Sequence, residues 1–443
     1  MLNHQLKTNI FSLCKAEGIE QAELYYRRTT SVKVNIENEE VDTCKQSDEE
    51  GLNISGNYQG QYAATYIEKL DEASAKAAIT YLKEAAQGNQ KPIRNSHLAK
   101  VNETHSKVEE KQPLNEIIKE LIAAQGKIKD MDARIDSVTE TSYIQTTVEI
   151  QLYDEKGGCL KDTYEYCKGS VGVVVEEDGI RQNASAWELS GKFEKIDYLA
   201  LGKKAVTDAT ALLKAAPIYS GTYPVILQNN VAANLISYIL PIFFQDTLEK
   251  GTGKYAGKIG TKVATEKFTL VEDPQLPSGG VKRSFDDEGT ATNKKYIIQN
   301  GILKNIVNRS ANKEATLLTG NGFRESYKTN VGTGVTNCYV EKGTRTTETI
   351  LKDLTECVII TDADGLFAGI NVNTGDFSLI SSGYYRKKGQ ADRPVKQITI
   401  GGNFYQLFQE IQELSQDTAA SESEEQYVES PSIYLKQLMI GGL

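Results

Sequence analysis

The chain has 443 residues, 39% of them hydrophobic, which is enough for two or three domains that each bury a core. It carries 50 Lys and Arg against 60 Asp and Glu, a net charge of −10, which is the wrong sign for a surface that neutralises nucleic-acid phosphates. Direct binding of nucleic acid is therefore not expected.

The cysteines and the apolar segments indicate the cellular compartment. The six cysteines show no metal-ligand spacing and are too sparse for the disulfide framework of a small secreted domain. The first residues lack the apolar core of a signal peptide, and no run of about 18 apolar residues occurs. We expect a soluble, cytoplasmic protein without a membrane contact.

The N-terminal part is predicted to mix helices with short antiparallel strands. A helix near residues 6–17 precedes segments over residues 22–67 in which apolar and polar residues alternate. Glycines such as Gly51 and Gly56 are interpreted as breaks between strands. A second helix is expected to begin after Asp71, which serves as its cap. Its apolar stripe consists of Ala75, Ala78, Ile79 and Leu82.

A polar segment separates this part from the next. Residues 89–112 lack a helical or strand period and contain His97 and His105, so they are interpreted as a linker. An amphipathic helix follows over residues 113–129, with a proline at its start. Alternation returns over residues 133–193 and predicts a long antiparallel meander.

A further helix over residues 197–216 and a strand over residues 223–227 lead into an apolar stretch, residues 229–250. Apolar side chains recur there at helical spacing, which predicts a buried helix. Pro241 interrupts the pattern. An internal proline costs about 3 kcal/mol, so the helix is expected to kink or restart there.

Strands dominate the remainder of the chain. Helices are predicted at about residues 346–356 and 403–416. The biased segment 417–430 is interpreted as a solvated loop, and residues 432–440 as a final strand.

These elements together predict an α+β fold. The N-terminal part is expected to be mixed α/β, with antiparallel sheets flanked by helices, and the C-terminal domain to be mostly β. The predicted division is an N-terminal α+β domain (1–88), a linker (89–112), a central domain of one helix plus the antiparallel meander (113–220) and a β-rich C-terminal domain (221–443).

Four segments of the C-terminal half are similar to a known family: GTGKYAGKIGTKVAT, RSFDDEGTATNKKYIIQNGILKNIV, LLTGNGFRESY and NVNTGDFSLISSGYYRKKGQADRPVKQITIGGN. They resemble the PmbA/TldD family, once described as modulators of DNA gyrase. The resemblance covers essentially the whole chain and is densest over residues 221–442. It implies the PmbA/TldD fold and a metallopeptidase family.

Catalytic TldD-type members carry H-E-x-x-x-H on the corresponding apolar helix. Counting back without a gap from the shared segment 251–260, those positions fall on Ile236, Ser237 and Pro241, and no metal ligand remains at any of them. The family's further cysteine ligand is also missing, since no cysteine follows Cys357. The resemblance therefore implies the PmbA/TldE type, which has no metal of its own and leaves zinc to a TldD-like partner.

The first candidate for peptide binding is the acidic segment Asp286, Asp287 and Glu288. Three adjacent carboxylates suit a cation or a peptide amine. They also suit the capping of backbone amides at the end of a strand, and this structural role is favoured. The resemblance implies that the segment lies near the family's substrate cleft.

The second candidate is the turn Gly320, Asn321 and Gly322 with the nearby Arg324. Glycines allow the backbone to approach a ligand closely, and the guanidinium group of an arginine can donate two parallel hydrogen bonds to a carboxylate. A turn held by a salt bridge explains the same residues equally well.

The third candidate is Thr374, Gly375 and Phe377, in a predicted tight hairpin. Ordinary turn chemistry is favoured for it. The resemblance adds that catalytic members of the family carry a similar T/S-G-x-F at the cleft.

The resemblance implies a PmbA/TldE-like, non-catalytic subunit that pairs with a TldD-like metallopeptidase as a heterodimer and helps it bind unfolded or extended peptides. We expect such peptides to pair through their main chain with a sheet edge. Two alternatives stay open: a homodimer or larger homo-oligomer that binds peptides or acts as an adaptor, and a metal-free hydrolase that uses carboxylates. The three histidines all precede the predicted central domain, which argues against a serine, cysteine or zinc hydrolase.

Overall fold

The computed structural model describes residues 2–88, 94, 98–100, 104–105 (backbone only), 112–190, 193–251, 253–310, 317–423 and 426–443. Most of the predicted linker, including His97 and the side chain of His105, lies outside these residues.

The helices of the described residues are α1 (His4–Ala16), α2 (Glu72–Gln87), α3 (Leu114–Lys129), α4 (Tyr198–Leu213), α5 (Asn229–Ile239), α6 (Gln245–Glu249), α7 (Thr347–Asp353), α8 (Leu366–Gly369) and α9 (Phe404–Glu410). None of the helices in the described part of the chain is long and apolar enough to span a membrane.

The strands fall into two large sheets and one short ribbon. Those of the first sheet are β1 (Glu20–Glu37), β2 (Glu40–Tyr58), β3 (Gln61–Ile67), β4 (Thr104–His105), β5 (Ile135–Asp154), β6 (Cys159–Glu177) and β7 (Ile180–Ser190). Those that follow in the chain are β8 (Gly221–Leu227), β9 (Leu270–Glu272), β10 (Lys295–Gln299), β11 (Ile302–Leu303), β12 (Gly322–Phe323), β13 (Gly332–Thr333), β14 (Asn337–Val340), β15 (Glu356–Asp364), β16 (Asp376–Lys387), β17 (Arg393–Asn403), β18 (Ile411–Ala420) and β19 (Tyr427–Gly441).

The first sheet joins the N-terminal and central parts of the chain, because β1 pairs with β2 on one side and with β5 on the other. The prediction of short strands was wrong: β1 and β2 have 18 and 19 residues and run through the predicted breaks. A strand paired on both sides continues as long as its neighbours do, whatever its local composition. The antiparallel meander of the central part is confirmed in β5, β6 and β7.

Gly51 is the clearest of these wrong breaks. It lies inside β2, paired with Arg27, and is not in a turn. A Cβ atom at this position would lie 2.2 Å from the ring of Tyr327, which comes from the C-terminal half. The glycine is required by the close approach of two distant parts of the chain.

Helices cover the first sheet in two groups. α1 and α2 pack on Leu24, Tyr26, Leu52 and Ile54, whereas α3 and α4 pack on the distal ends of the long strands. The predicted cap of α2 is confirmed, since the Asp71 carboxylate accepts a hydrogen bond from the backbone N–H of Ser74.

The second sheet has the order β11-β10-β9-β14-β19-β17-β16-β15-β8, with β18 paired to β19. α5 packs against β19, β18 and β15 and buries its apolar side in the largest core of the molecule. The predicted interruption at Pro241 is confirmed: α5 ends at Ile239, a 3₁₀ turn covers Leu240–Phe243, and α6 restarts after Phe244.

Two predictions near the C-terminus were wrong. The helix predicted over residues 403–416 ends at Glu410, and the chain continues from Ile411 as the strand β18. The segment predicted as a solvated loop, residues 417–430, is largely strand, because β18 pairs with β19 through Thr418, Ala419 and Ala420. Its polar composition reflects hydrogen-bonded positions such as Ser421, which is fully buried. The predicted α+β fold with a β-rich C-terminal part is confirmed.

Candidate functional site

A cleft of about 840 Å³ lies between the first sheet and the C-terminal half. One wall is the face of the first sheet that carries no helices, with Arg27 from β1, Thr146 from β5 and Tyr164 from β6. The opposite wall comes from the region around β12 and β13 and from Glu422, Ser423 and Gln426. Next to the cleft, apolar side chains of both halves form a common core, so the two walls are held together.

The predicted acidic segment is buried beside this cleft. Asp286, Asp287 and Glu288 have 1%, 2% and 4% of their surface exposed. The Asp286 carboxylate accepts hydrogen bonds from the backbone N–H groups of Glu288, Thr290 and Gly322. These acids therefore bind the protein's own amides and present little surface to a ligand.

The neighbours of Asp287 and Glu288 connect distant segments. The Asp287 carboxylate accepts from the Arg283 guanidinium at 2.6 Å, the Arg324 backbone N–H at 2.8 Å and the Tyr25 hydroxyl at 3.3 Å. Glu288 accepts from the backbone N–H of Ser310 at 2.6 Å. The first two predicted site segments are thus brought together, since Asp286 and Asp287 bind the backbone of β12 and of the residue after it.

Burial raises the pKa of Asp286 to about 7, the Glu288 charge adds to this effect, and the three backbone N–H groups oppose it. Because an unfolded aspartate has a pKa of about 3.9, the folded state binds the extra proton between these two values. The contribution of Asp286 to the free energy of unfolding is therefore fully present below about pH 4 and is lost as the pH rises toward 7.

We expect the wild type to gain stability relative to Asp286→Asn as the pH falls from 7.5 to 5, because asparagine cannot titrate and keeps one acceptor oxygen. Urea titrations of both proteins at several pH values, roughly one unit apart, measure this difference. A difference that does not change with pH would contradict the raised pKa.

The turn at Gly320 holds Asn321 in a fully buried position. Gly320 has φ +71°, a conformation that favours glycine, and Asn321 donates its side-chain amide to Glu272 at 2.8 Å and to the carbonyl of Gly334 at 2.7 Å. These contacts place β12 against β13 as a ribbon on the cleft wall. In the part of the chain that the structure describes, β13 pairs with β12 and with no other strand. The backbone N–H of Thr333 in β13 donates to the Asp246 carboxylate at 3.0 Å.

Arginine side chains meet on the cleft wall. Arg324, predicted from the sequence, lies with its guanidinium 5.3 Å from the centre of the Tyr25 ring. Arg27 and Arg283, which sequence reasoning missed, also line the cleft. Arg27 stands in an alternating strand and Arg283 precedes an acidic run, and neither local pattern distinguishes them from surface arginines.

The positions of the degenerate motif lie behind this wall. Ile236 is 3% exposed in the apolar core, and the Ser237 hydroxyl accepts a hydrogen bond from the Gln426 side chain at 2.8 Å. Pro241 lies in the 3₁₀ turn after the helix, so it does not share a helical face with the other two. An apolar, a hydroxyl and a proline side chain do not fit zinc, which takes Cys, His, Asp or Glu ligands. Within the described ranges, no three His, Cys, Asp or Glu side chains are arranged to hold a metal ion.

The third candidate segment is not part of the cleft. Thr374 and Gly375 form a turn in which Asn371 accepts from the backbone of Asn373 and Thr374. Phe377 is buried against Phe404, with 4.5 Å between ring centres. An antiparallel bridge between Ile370 and Phe377 closes this turn, as the predicted hairpin requires, but its first arm is a single bridge residue after the short helix α8 and not a strand.

Comparisons with known proteins cover nearly the whole chain. Three family models match in order: PmbA/TldA metallopeptidase domain 1 at residues 22–81, the central domain at 106–213 and the C-terminal domain at 220–442. A metalloprotease TldD homolog of Buchnera aphidicola is 27% identical over 341 residues, which is 71% of this chain and 70% of that protein. A metalloprotease PmbA homolog of Haemophilus influenzae is 24% identical over 317 residues, or 70% of this chain and 66% of that protein.

Solved structures show the same fold. A putative modulator of a DNA gyrase from Thermotoga maritima has a TM-score of 0.88 at 22% identity and covers 99% of both chains. TldE from Thermococcus kodakarensis has a TM-score of 0.87 at 20% identity and covers 99% of this chain and all of that one.

Proposed function

The chain belongs to the PmbA/TldD metallopeptidase family, and we propose that it is a subunit that binds peptides without a catalytic metal and supports a TldD-like partner. In this proposal the partner supplies the zinc and the hydrolytic step. The present chain supplies a cleft for unfolded or extended peptides.

The observation that carries the proposal is the contrast between the cleft and the helix behind it. The cleft is large enough for several residues of an extended peptide. At the helix, the position expected to carry the first histidine is Ile236 in the apolar core, and Ser237 is already hydrogen-bonded to Gln426. A family member with the binding cleft and without the metal ligands is suited to binding and not to hydrolysis.

The edge of the ribbon favours extended peptides as ligands. A peptide that pairs with an edge strand gains main-chain hydrogen bonds whatever its side chains are. β13 lines the cleft and is paired with a strand on one side only among the described residues. The Thr333 N–H of β13 donates to the Asp246 carboxylate at 3.0 Å, and a peptide carbonyl would replace that carboxylate as its acceptor. We therefore propose that a peptide adds to β13 as a further strand.

Zinc content and partner dependence test the proposal. We expect the purified chain to bind no stoichiometric zinc and to show no chelator-sensitive peptidase activity. We further expect it to co-purify with a TldD-like chain from the same organism, and the complex to cleave unfolded peptides until a chelator is added. The measurements are elemental analysis, size-exclusion chromatography and a peptidase assay of each chain and of the mixture.

Stoichiometric zinc in the chain alone would overturn the proposal. A stable self-association with peptide binding, and no affinity for a TldD-like chain, would support the homo-oligomeric alternative instead.

A further inference from the structure

Two arginines on the cleft wall are linked to each other and to the same loop. The Arg27 Nη1 atom donates to the carbonyl of Arg324 at 3.0 Å and to that of Glu325 at 2.5 Å. The Arg324 Nη1 atom donates to the carbonyl of Thr329 at 2.5 Å. We call these two side chains the arginine pair (Arg27 and Arg324).

The nearby carboxylates are bound by groups other than the arginine pair. Of the buried carboxylates nearby, Asp287 and Asp162 are bound by Arg283, at 2.6 and 3.5 Å. Neither member of the arginine pair forms an ion pair with any residue that the structure describes. The other two buried acids nearby are also bound elsewhere: Glu288 lies 3.5 Å from the Arg94 guanidinium, and Asp286 accepts from backbone N–H groups. The arginine pair is thus left without a direct counter-ion among the described residues.

Two further acids line the cleft, and neither is paired with the arginine pair. Glu422 is paired with Lys168 at 3.4 Å. Glu325 is exposed, so water screens its charge from the buried groups.

The arginine pair also has unused donors. Arg324 is only 7% exposed, and its buried Nε atom has no hydrogen-bond partner among the described residues. Arg27 uses one of its terminal nitrogen atoms for both of its hydrogen bonds within the described ranges. A buried donor without a partner is unfavourable. The Arg324 Nε atom has almost no accessible surface, so the donors suited to an acceptor that arrives with a ligand are the Nε and Nη2 atoms of Arg27 and the Nη2 atom of Arg324, which form no hydrogen bond with the described residues.

We propose that the arginine pair is a subsite for a carboxylate group of the bound peptide. A carboxylate accepts two parallel hydrogen bonds from a guanidinium fork. It also supplies the counter-ion that neither arginine has among the described residues. The carboxylate is either the C-terminus of the peptide or an acidic side chain. The choice of a peptide as its carrier rests on the proposed function.

Matched peptides distinguish the sources of the carboxylate. One fluorescein-labelled unfolded peptide without acidic side chains is prepared with a free C-terminal acid and as the amide. A second, C-terminally amidated peptide is prepared with an internal Glu and with Gln in its place. Fluorescence anisotropy with the full chain measures all four affinities. We expect the acid form of one pair to bind about tenfold more tightly than its neutral form, as for a charge-assisted hydrogen bond in a partly buried site.

Variants assign the preference to the arginine pair. Arg27→Met and Arg324→Lys should each reduce the ratio of the acid to the neutral affinity toward one. Arg28→Met is the matched control, because Arg28 lies next to Arg27 in β1, pairs with the exposed Asp48 and does not line the cleft. It should leave the ratio unchanged. If Arg324→Lys fails to fold, the comparison of the affinity ratio of Arg27→Met with that of the wild type tests the subsite.

The failures of the two proposals are distinguishable. Equal affinity for acid and neutral forms in the wild type would overturn the carboxylate subsite while peptide binding stands. Competition by inorganic phosphate at much lower concentration than acetate would overturn the choice of carboxylate. No binding of any of the four peptides would overturn the proposed peptide-binding function, and the subsite with it.

Discussion

Replacing Arg283 by methionine should lower the free energy of unfolding by about 3 to 5 kcal/mol, because it leaves buried carboxylates without their cation. Arg283 is 3% exposed and lies between Asp287 at 2.6 Å and Asp162 at 3.5 Å. Asp162 belongs to β6, and it also accepts from the hydroxyl and the backbone N–H of Ser284. The loss should therefore weaken the junction between the first sheet and the C-terminal half.

The control for this prediction is Arg28→Met. Arg28 forms an equally short ion pair with Asp48, 2.6 Å long, but its side chain is 36% exposed and that of Asp48 is 53% exposed. Exposed pairs contribute roughly 0 to 1 kcal/mol, so the control should be nearly neutral. Guanidinium titrations followed by circular dichroism and by the fluorescence of Trp187 measure both variants, and coincident curves show whether the chain unfolds in one transition. Equally small decreases in the free energy of unfolding of the two variants would contradict the prediction and would mean that the Arg283 cluster is hydrated.

The second prediction with a large effect concerns the motif helix. The triple variant Ile236→His, Ser237→Glu and Pro241→His should remain without peptidase activity and should lose stability by roughly 3 to 5 kcal/mol or more, because it buries polar and charged groups in an apolar core. Ile236 and Ser237 are each 3% exposed. Positions five apart on an ideal helix point about 140° away from each other, and here α5 ends before Pro241.

The chain also lacks other groups that a zinc site requires, which is a second reason to expect no activity from the triple variant. A zinc site needs a further ligand and hydrogen-bond partners that orient its imidazoles, and their loss typically costs about 10- to 100-fold in affinity or activity. No cysteine follows Cys357 in the chain.

Elemental analysis, thermal unfolding and a peptidase assay with and without chelator test the triple variant. Tyr238→His is the control, since Tyr238 is 42% exposed on the same helix and should tolerate the change. Peptide hydrolysis by the triple variant alone, abolished by a chelator and restored by zinc, would contradict the prediction.

The local sequence pattern was sufficient to predict several elements of the structure. The periodicity of residues 113–129 predicted α3 to within one residue. Pro241 predicted the interruption after α5, since a proline removes a backbone donor wherever it stands. The helices of the first sheet and the meander were likewise evident from their apolar spacing.

Other features arise from contacts between distant residues. The short strands predicted around Gly51 are one long strand, because β2 pairs with β1 along nearly its whole length and because the ring of Tyr327 lies over that glycine. The acidic segment 286–288 resembles a ligand site in sequence, yet its side chains are buried on backbone amides.

The sequence by itself determined which residues form most helices of the first sheet, where the motif helix breaks, and that side chains unable to bind zinc stand at 236, 237 and 241. These are local properties of residue type and spacing. Only the tertiary structure decided that Arg27 and Arg324, 297 residues apart, meet on one cleft wall without a carboxylate of their own. Charge and hydrogen-bond balance depends on which groups the fold brings within a few ångströms, and spacing along the chain does not contain that information.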